Sequence, residues 1–308
     1  MFEKTSKNSE DLLKRLTRPK SCVDVVLDTD TYNEIDDQYA LAYLIKSQEK
    51  LHLQAIYAAP FTNSKADSAL EGMEKSFDEI MNILDLMDRS DLTSCVYKGS
   101  DTYLPTETQA VSSPAAKDLA SRAMQYSPEK PLYVVAIGAI TNIASAILLE
   151  PAIIDKIVIV WLGGHALHWP DNKEFNLFQD VAAARVVLGC GAAVVLLPCN
   201  GVVSAFTTSG PELEFHLKGK NKLCDYLVLA TTEEAKEQEI HTWTRAIWDV
   251  TAVAWLLDGD FMEDYLTASP IPEYDHHYAL DPTRHFVRYV YNIKRDNLFA
   301  DLFSKLIK

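Results

Sequence analysis

Residues 25–41 read Val-Val-Leu-Asp-Thr-Asp-Thr-Tyr-Asn-Glu-Ile-Asp-Asp-Gln-Tyr-Ala-Leu and gather carboxylates into one short stretch. An apolar run, Val23 and 25–27, stops abruptly at Asp28 and Asp30. A second acidic pair, Asp36 and Asp37, precedes the helically spaced Ala40, Leu41 and Leu44. Strand, acidic loop, helix is the simplest reading. Carboxylates converging at the C-terminal end of a buried strand repel one another, so either their pKa values rise or a cation sits among them. A hard metal ion meets that condition. The alternative is a solvated acidic turn in which Asp36 or Asp37 caps the helix.

The elements that must position this stretch follow from periodicity. Strands are predicted at 23–29, 51–59, 95–97, 132–137, 157–162, 192–197 and 286–291. Helices are predicted at 36–46, 64–87, 115–125, from Asn142 to about Glu150, and at 180–188, 211–217, 223–231, 246–257 and 297–306. Alternating strands and helices, with continuously apolar strands, imply an α/β fold: a Rossmann-like, mostly parallel central sheet flanked by helices. No linker, low-complexity tract or repeat divides the chain, so 1–308 reads as a single domain with a polar N-terminal extension at 1–20. Ligands of such sheets bind beyond the carboxyl ends of the strands. The acidic loop, the turn at Thr141 and the irregular segment 163–175 all belong to that edge.

Composition narrows the partners. With 308 residues and 48% hydrophobic content, the chain can bury a large core. A net charge of -15 argues against nucleic acid or an anionic membrane surface as partner and leaves small neutral or cationic ligands open. The 5 cysteines are odd in number and lack a Cys-x-x-Cys pair, so neither a disulfide framework nor a thiolate zinc site is indicated. The first residues lack the apolar core of a signal peptide, and no apolar run reaches bilayer length. A cytoplasmic location is the expectation.

A longer pattern extends the acidic loop. Asp28-Thr29-Asp30 with Ile35-Asp36-Asp37 is followed by Gly138-x-x-Thr141-Asn142-Ile143-Ala144, by Gly163-Gly164, and by Glu174-Phe175-Asn176 with Asp180. In this order the motifs resemble the inosine-uridine nucleoside hydrolase family, from about Val23 to Val253. The resemblance implies one Ca2+ per chain, held by Asp30, Asp37, the main-chain carbonyl of Thr141 and Asp249. It assigns Asp30 as the base that activates a metal-bound water, and an attack on the ribosyl anomeric carbon through an oxocarbenium-like transition state. It places Asp36, Glu174 and Asn176 on the sugar hydroxyls. It further implies a small-molecule riboside as substrate and a homodimer or homotetramer. All-oxygen ligation agrees with Ca2+ or Mg2+ rather than zinc.

Three departures bear on substrate. The family's Asp-x-Asp-Pro-Gly-x-Asp-Asp is two residues longer here and lacks Pro-Gly, so Tyr32, Asn33 and Glu34 either line the pocket or form a longer turn. The loop after the second strand reads Pro60-Phe61-Thr62-Asn63, with Asn63 one residue out of register from the family's substrate-binding asparagine. Where many members carry a histidine before the last aspartate, this chain has Trp248. Purine-specific members also place tryptophan there, which implies a preference for purine nucleosides; a core aromatic is the other reading. His165, His168, Trp169 and Asp171 differ from the family's usual stretch at the sugar's 5' end.

Two further readings compete. Asp28-x-Asp30 also resembles the nucleophile loop of haloacid-dehalogenase phosphatases, but Tyr32 stands where Thr or Val belongs, and the later motifs go unexplained. A related protein that binds or processes a different riboside or carbohydrate-derived ligand would keep the same oxygen-rich cup.

Overall fold

The computed structural model describes residues 10–236 and 242–308. Among these, eight strands form one sheet: β1 (Val23–Thr29), β2 (Leu51–Ala58), β3 (Val96–Lys98), β4 (Leu132–Ala136), β5 (Ile157–Leu162), β6 (Ala193–Leu197), β7 (Met262–Ala268) and β8 (Phe286–Ile293). Their spatial order is β3-β2-β1-β4-β5-β6-β8-β7. Every neighbouring pair is parallel except β8 with β7. The expected α/β architecture is therefore present, with one antiparallel edge.

The central strands β4, β5 and β6 are buried at every position because both faces are covered, and alternate residues serve opposite layers. Val25, Leu27, Val158, Val160, Val195 and Leu197 face one core. There they meet α2 (Asp36–Ile45), α3 (Ala69–Leu86), α9 (Lys222–Lys236), α10 (Val250–Ala254) and α11 (Arg295–Leu306). Val26, Val134, Ile159, Trp161, Val194 and Leu196 face the other, under α4 (Pro114–Ala123), α5 (Thr141–Leu149) and α7 (Val181–Gly189). Short helices α6 (Phe175–Gln179) and α8 (Gly210–His216) complete the set with α1 (Glu10–Arg15).

Three local expectations are corrected. Residues 10–20 are not merely polar: Leu12 and Leu16, four apart on one side of α1, enter the core, and buried Arg15 donates to the Ile154 carbonyl at 3.0 Å. Residues 1–9 of the predicted extension lie outside the described residues. The late helix predicted at 246–257 is only Val250–Ala254, since Arg245–Ala246 is extended and pairs with Thr207–Thr208. Trp248 and Asp249 consequently precede the helix. Strand β7 was not predicted, because its sequence Met-Glu-Asp-Tyr-Leu-Thr-Ala lacks an apolar face and lies at the sheet edge.

The two-layer core sets the stability. Ile159→Ala, at a wholly buried position of central β5, is expected to cost about 2–5 kcal/mol in urea denaturation. Leu266→Ala on the exposed edge should cost less than about 0.5 kcal/mol. Equal losses would contradict this assignment of the core.

Candidate active site

The sheet is read outward from β1 in both directions. The chain steps from β1 to β2 and β3, then returns to place β4, β5 and β6 on the other side of β1. Such a reversal opens a crevice at the carboxyl ends of the strands. The acidic loop leaves β1 there, the Gly138–Thr141 turn leaves β4, and the Gly163–Glu174 segment leaves β5.

Asp28, Asp30, Asp36, Asp37 and Asp249 are all buried at this edge. Asp36, Asp37 and Asp249 each bring one carboxylate oxygen to within 4.8 Å of the others. Thr29 Oγ1 donates to Asp37 Oδ1, and the Asp249 main-chain N–H donates to Asp36 Oδ2 at 3.3 Å. Among the described residues, neither oxygen of Asp30 has a hydrogen-bond partner. Gly138 makes room beside it, since a Cβ there would lie 3.0 Å from Asp30 Oδ1. The solvated-turn reading fails on this geometry: helix α2 starts at Asp36 itself, and Ile35 holds the cap position without a side-chain bond.

Burial and mutual repulsion set the electrostatics. Desolvation, then the charges of Asp37 and Asp36, hold Asp30 well above the usual carboxylate range. Desolvation and then Asp36 do the same to Asp37, and desolvation with Asp36, Asp37 and Asp30 to Asp249. Asp36 is pushed up to about 7 by desolvation and Glu34, against the attraction of Arg245. Asp28 also rises to about 7 by burial, although Asn142 Nδ2 donates to it at 2.8 Å. Clustered, partly orphaned oxygen donors of this kind fit a hard divalent cation.

The next part of the crevice comes from the segment after β5. Glu174 is buried, and its carboxylate accepts from the main-chain N–H groups of Gly164 at 2.7 Å, Leu177 at 2.9 Å and Asn176 at 3.0 Å. It thereby caps α6 and pins the turn at Gly164. That glycine has φ +74, and a side chain there would collide with the Tyr278 hydroxyl. Burial raises Glu174 to about 7 in spite of its three N–H donors. Asn176 Nδ2 bridges the carbonyls of Ile137 and Leu162 at 3.1 and 3.0 Å, which leaves its Oδ1 for a ligand.

A cavity of about 250 Å³ joins these groups. Asp30, Asp36, Asp37, Asp249, Glu174, Asn176 and Trp248 line it, as do Asn33 and Glu34 of the longer loop. Two residues of the resemblance sit apart from the lining. Asn63 Nδ2 donates to Asn33 Oδ1 at 2.7 Å and its Oδ1 accepts from the Lys65 N–H, so its side chain holds the loop. Thr141 opens α5 and donates its hydroxyl to Asp180 at 2.7 Å. Lys173, Cys199 and Asn200 also line the cavity; nothing in their local sequence marks them. His165 lies beside Asn200, whose main-chain N–H donates to its Nδ1 at 3.3 Å, and burial lowers the imidazole's pKa.

The family model for inosine-uridine preferring nucleoside hydrolases matches residues 25–290. A probable uridine nucleosidase 2 of Arabidopsis thaliana is 27% identical over 225 residues, 66% of this chain and 67% of that protein. The pyrimidine-specific ribonucleoside hydrolase RihB of Escherichia coli K12 is 34% identical over 98 residues, 31% of each chain. Among solved structures, the fold is shared with a plant nucleoside hydrolase, PpNRh1, at TM-score 0.74 and 20% identity, covering 92% of this chain and 99% of that one. A purine-preferring ribonucleoside hydrolase from Gardnerella vaginalis gives 0.72 and 21%, covering 92% and 98%. With its motifs gathered at one sheet edge and the match running from β1 to β8, the chain belongs to the inosine-uridine preferring nucleoside hydrolase family, hydrolases that act on N-glycosyl bonds.

Proposed function

We propose that this chain hydrolyses the N-ribosidic bond of ribonucleosides, purine nucleosides preferred, with one Ca2+ per chain. The observation that carries the reading is Asp30: a buried carboxylate, without a hydrogen-bond partner among the described residues, on the wall of the cavity that Asp36, Asp37 and Asp249 also line. Asp30, Asp37, the Thr141 carbonyl and Asp249 would hold the ion, and the closeness of Asp36 to Asp37 and Asp249 makes it a neighbour of the same centre. When bound, Ca2+ supplies Lewis acidity and an irregular oxygen shell able to hold water and a ribose diol together. Asp30 removes the proton from the attacking water. Its raised basicity suits that task once the neighbouring charge is balanced.

Asp36, Glu174 and the Asn176 Oδ1 orient the sugar hydroxyls, and their fixed acceptors favour the positive charge that develops on the ribosyl ring. Trp248 lines the cavity beside Asp249 and offers the leaving base an aromatic surface, which supports the purine preference. The remaining elements of the reading are a single domain, a cytoplasmic setting, and a homodimer or homotetramer. All five cysteines are free, which suits a reducing compartment, and among the described residues no helix is long and apolar enough to cross a membrane.

Asp30→Asn should lower ribose release by roughly 100-fold or more while the protein stays folded. Asp37→Ala and Asp249→Ala should chiefly lose the thermal shift that Ca2+ confers. Ordinary turnover in Ca2+-loaded Asp30→Asn would remove Asp30 as the base.

The pH dependence of metal-free protein has a definite sign. Asp28, Asp36 and Glu174 have folded values raised to about 7. Their contribution to stability is complete below the unfolded values, roughly 4, and is lost as pH rises through about 7. The melting temperature of chelated protein should therefore fall as pH rises from about 4 to about 7 and level off above. Added Ca2+ should raise it, and more at the higher pH where the carboxylates are ionised; a hundredfold excess over Kd corresponds to about 2.7 kcal/mol of added stability. A Ca2+ shift independent of pH would contradict the site.

Trp248→Ala should lower purine nucleoside turnover by roughly tenfold or more, with Trp248→Phe retaining more. A fall in melting temperature with turnover per folded molecule unchanged would assign Trp248 to the core instead.

A further inference from the structure

Glu34 has no part in the hydrolysis described above, yet it lines the cavity together with Trp248. It stands at the end of the inserted loop, and that loop is held in place. Asn33 donates its main-chain N–H to the Asp30 carbonyl at 2.7 Å, and its own carbonyl accepts from Lys65 Nζ at 2.8 Å. With the Asn63 bond to its side chain, Asn33 is anchored on three sides. A loose surface turn would leave these groups to water.

Glu34, whose side chain is 43% exposed, is ion-paired through one oxygen. Its Oε1 lies 3.1 Å from a terminal nitrogen of Arg245, and the same nitrogen lies 3.2 Å from Glu234. Arg245 is buried, and its guanidinium sits 4.9 Å from the centroid of the Trp248 ring. One face of the indole is thus covered, and the buried Nε1–H has no hydrogen-bond partner among the described residues. Oε2 of Glu34 also has none among the described residues. This part of the cavity offers an ion-paired carboxylate acceptor and, on Trp248, an unpartnered indole donor.

Building on the hydrolase reading, we propose that Glu34 determines specificity for the leaving base by accepting a hydrogen bond from an N–H on the base edge. Arg245 is the positioning residue that holds it. The substrate class is ribonucleosides whose base carries a ring N–H or an exocyclic amino group. A riboside of a donor-free base forgoes that hydrogen bond and is the poorer substrate.

The test measures kcat/KM for inosine, for unsubstituted purine riboside, and for p-nitrophenyl riboside, whose leaving group has no N–H. Wild type, Glu34→Gln, Glu34→Ala and Arg245→Met are compared. Glu34→Ala should reduce the inosine to purine riboside ratio by roughly 10- to 100-fold, the scale of one hydrogen bond to a charged acceptor. Glu34→Gln, which keeps an acceptor oxygen and the shape, should reduce it less, and Arg245→Met should reduce it in the same direction. If Glu34→Ala lowers all three substrates by one common factor, or lowers only the melting temperature, the proposal is overturned. If wild type releases no ribose even from p-nitrophenyl riboside, the hydrolase reading falls, and this proposal with it.

Discussion

Burying carboxylates at the end of one sheet is the constraint to which the surrounding structure answers. Removing such a group from water costs several kcal/mol unless it is paired, and Asp28, Asp30, Asp36, Asp37 and Asp249 are all removed together. Each receives a different answer. Asp28 takes a hydrogen bond from Asn142, whose Oδ1 accepts in turn from the N–H and hydroxyl of Ser100, both at 2.8 Å. The first aspartate of the motif thereby ties β1 to the loop after β3 and to the start of α5. Asp37 has Thr29 and Asp36 has the Asp249 main chain. Among the described residues, Asp30 is the one of the five with both oxygens fully buried and without a partner, and on the proposed reading it is the one that acts as base.

A fold of ordinary marginal stability can carry such a cluster only if its packing is strong elsewhere. The two apolar layers provide this, with strands whose every side chain is buried from β4 through β6. Those same strands deliver the crevice groups from their ends. Main-chain carbonyls of Ile137 and Leu162, on adjacent strand ends, are what orient Asn176. The sheet register and the site geometry are consequently one property: a slip between β4 and β5 would move the Asn176 amide off both acceptors.

Much of this was legible in the sequence, for reasons particular to each element. The run Ile157–Leu162 is apolar at every position because it is covered on both faces, and its predicted bounds match the observed strand. The acidic pairs were legible because their partners are close in sequence. What was hidden depended on distant partners. For Glu174 the motif order marked the position, but its role as cap of α6 needed Gly164 and the α6 amides to close on it. Arg245 carries no local pattern, since its partners Glu34 and Glu234 come from the first loop and from α9. The helix around Trp248 was overextended because its apolar spacing continues through a segment that instead pairs with Thr207–Thr208.

The leaving group poses the remaining physical problem, because an indole cannot donate a full proton as an imidazolium can. The surroundings of Trp248 suggest how the base departs on the proposed reading. A cavity lined by Asp30, Asp36, Asp37, Asp249, Glu174 and Glu34 carries a negative field that one divalent ion offsets only in part. That field favours a protonated base over a neutral one, as it favours protons on the carboxylates themselves. An aromatic face beside the base adds to the same preference. On the proposed reading, the negative field that calls for a cation also favours a proton on the departing base, and leaving-group activation becomes a property of the whole cavity rather than of a single acid.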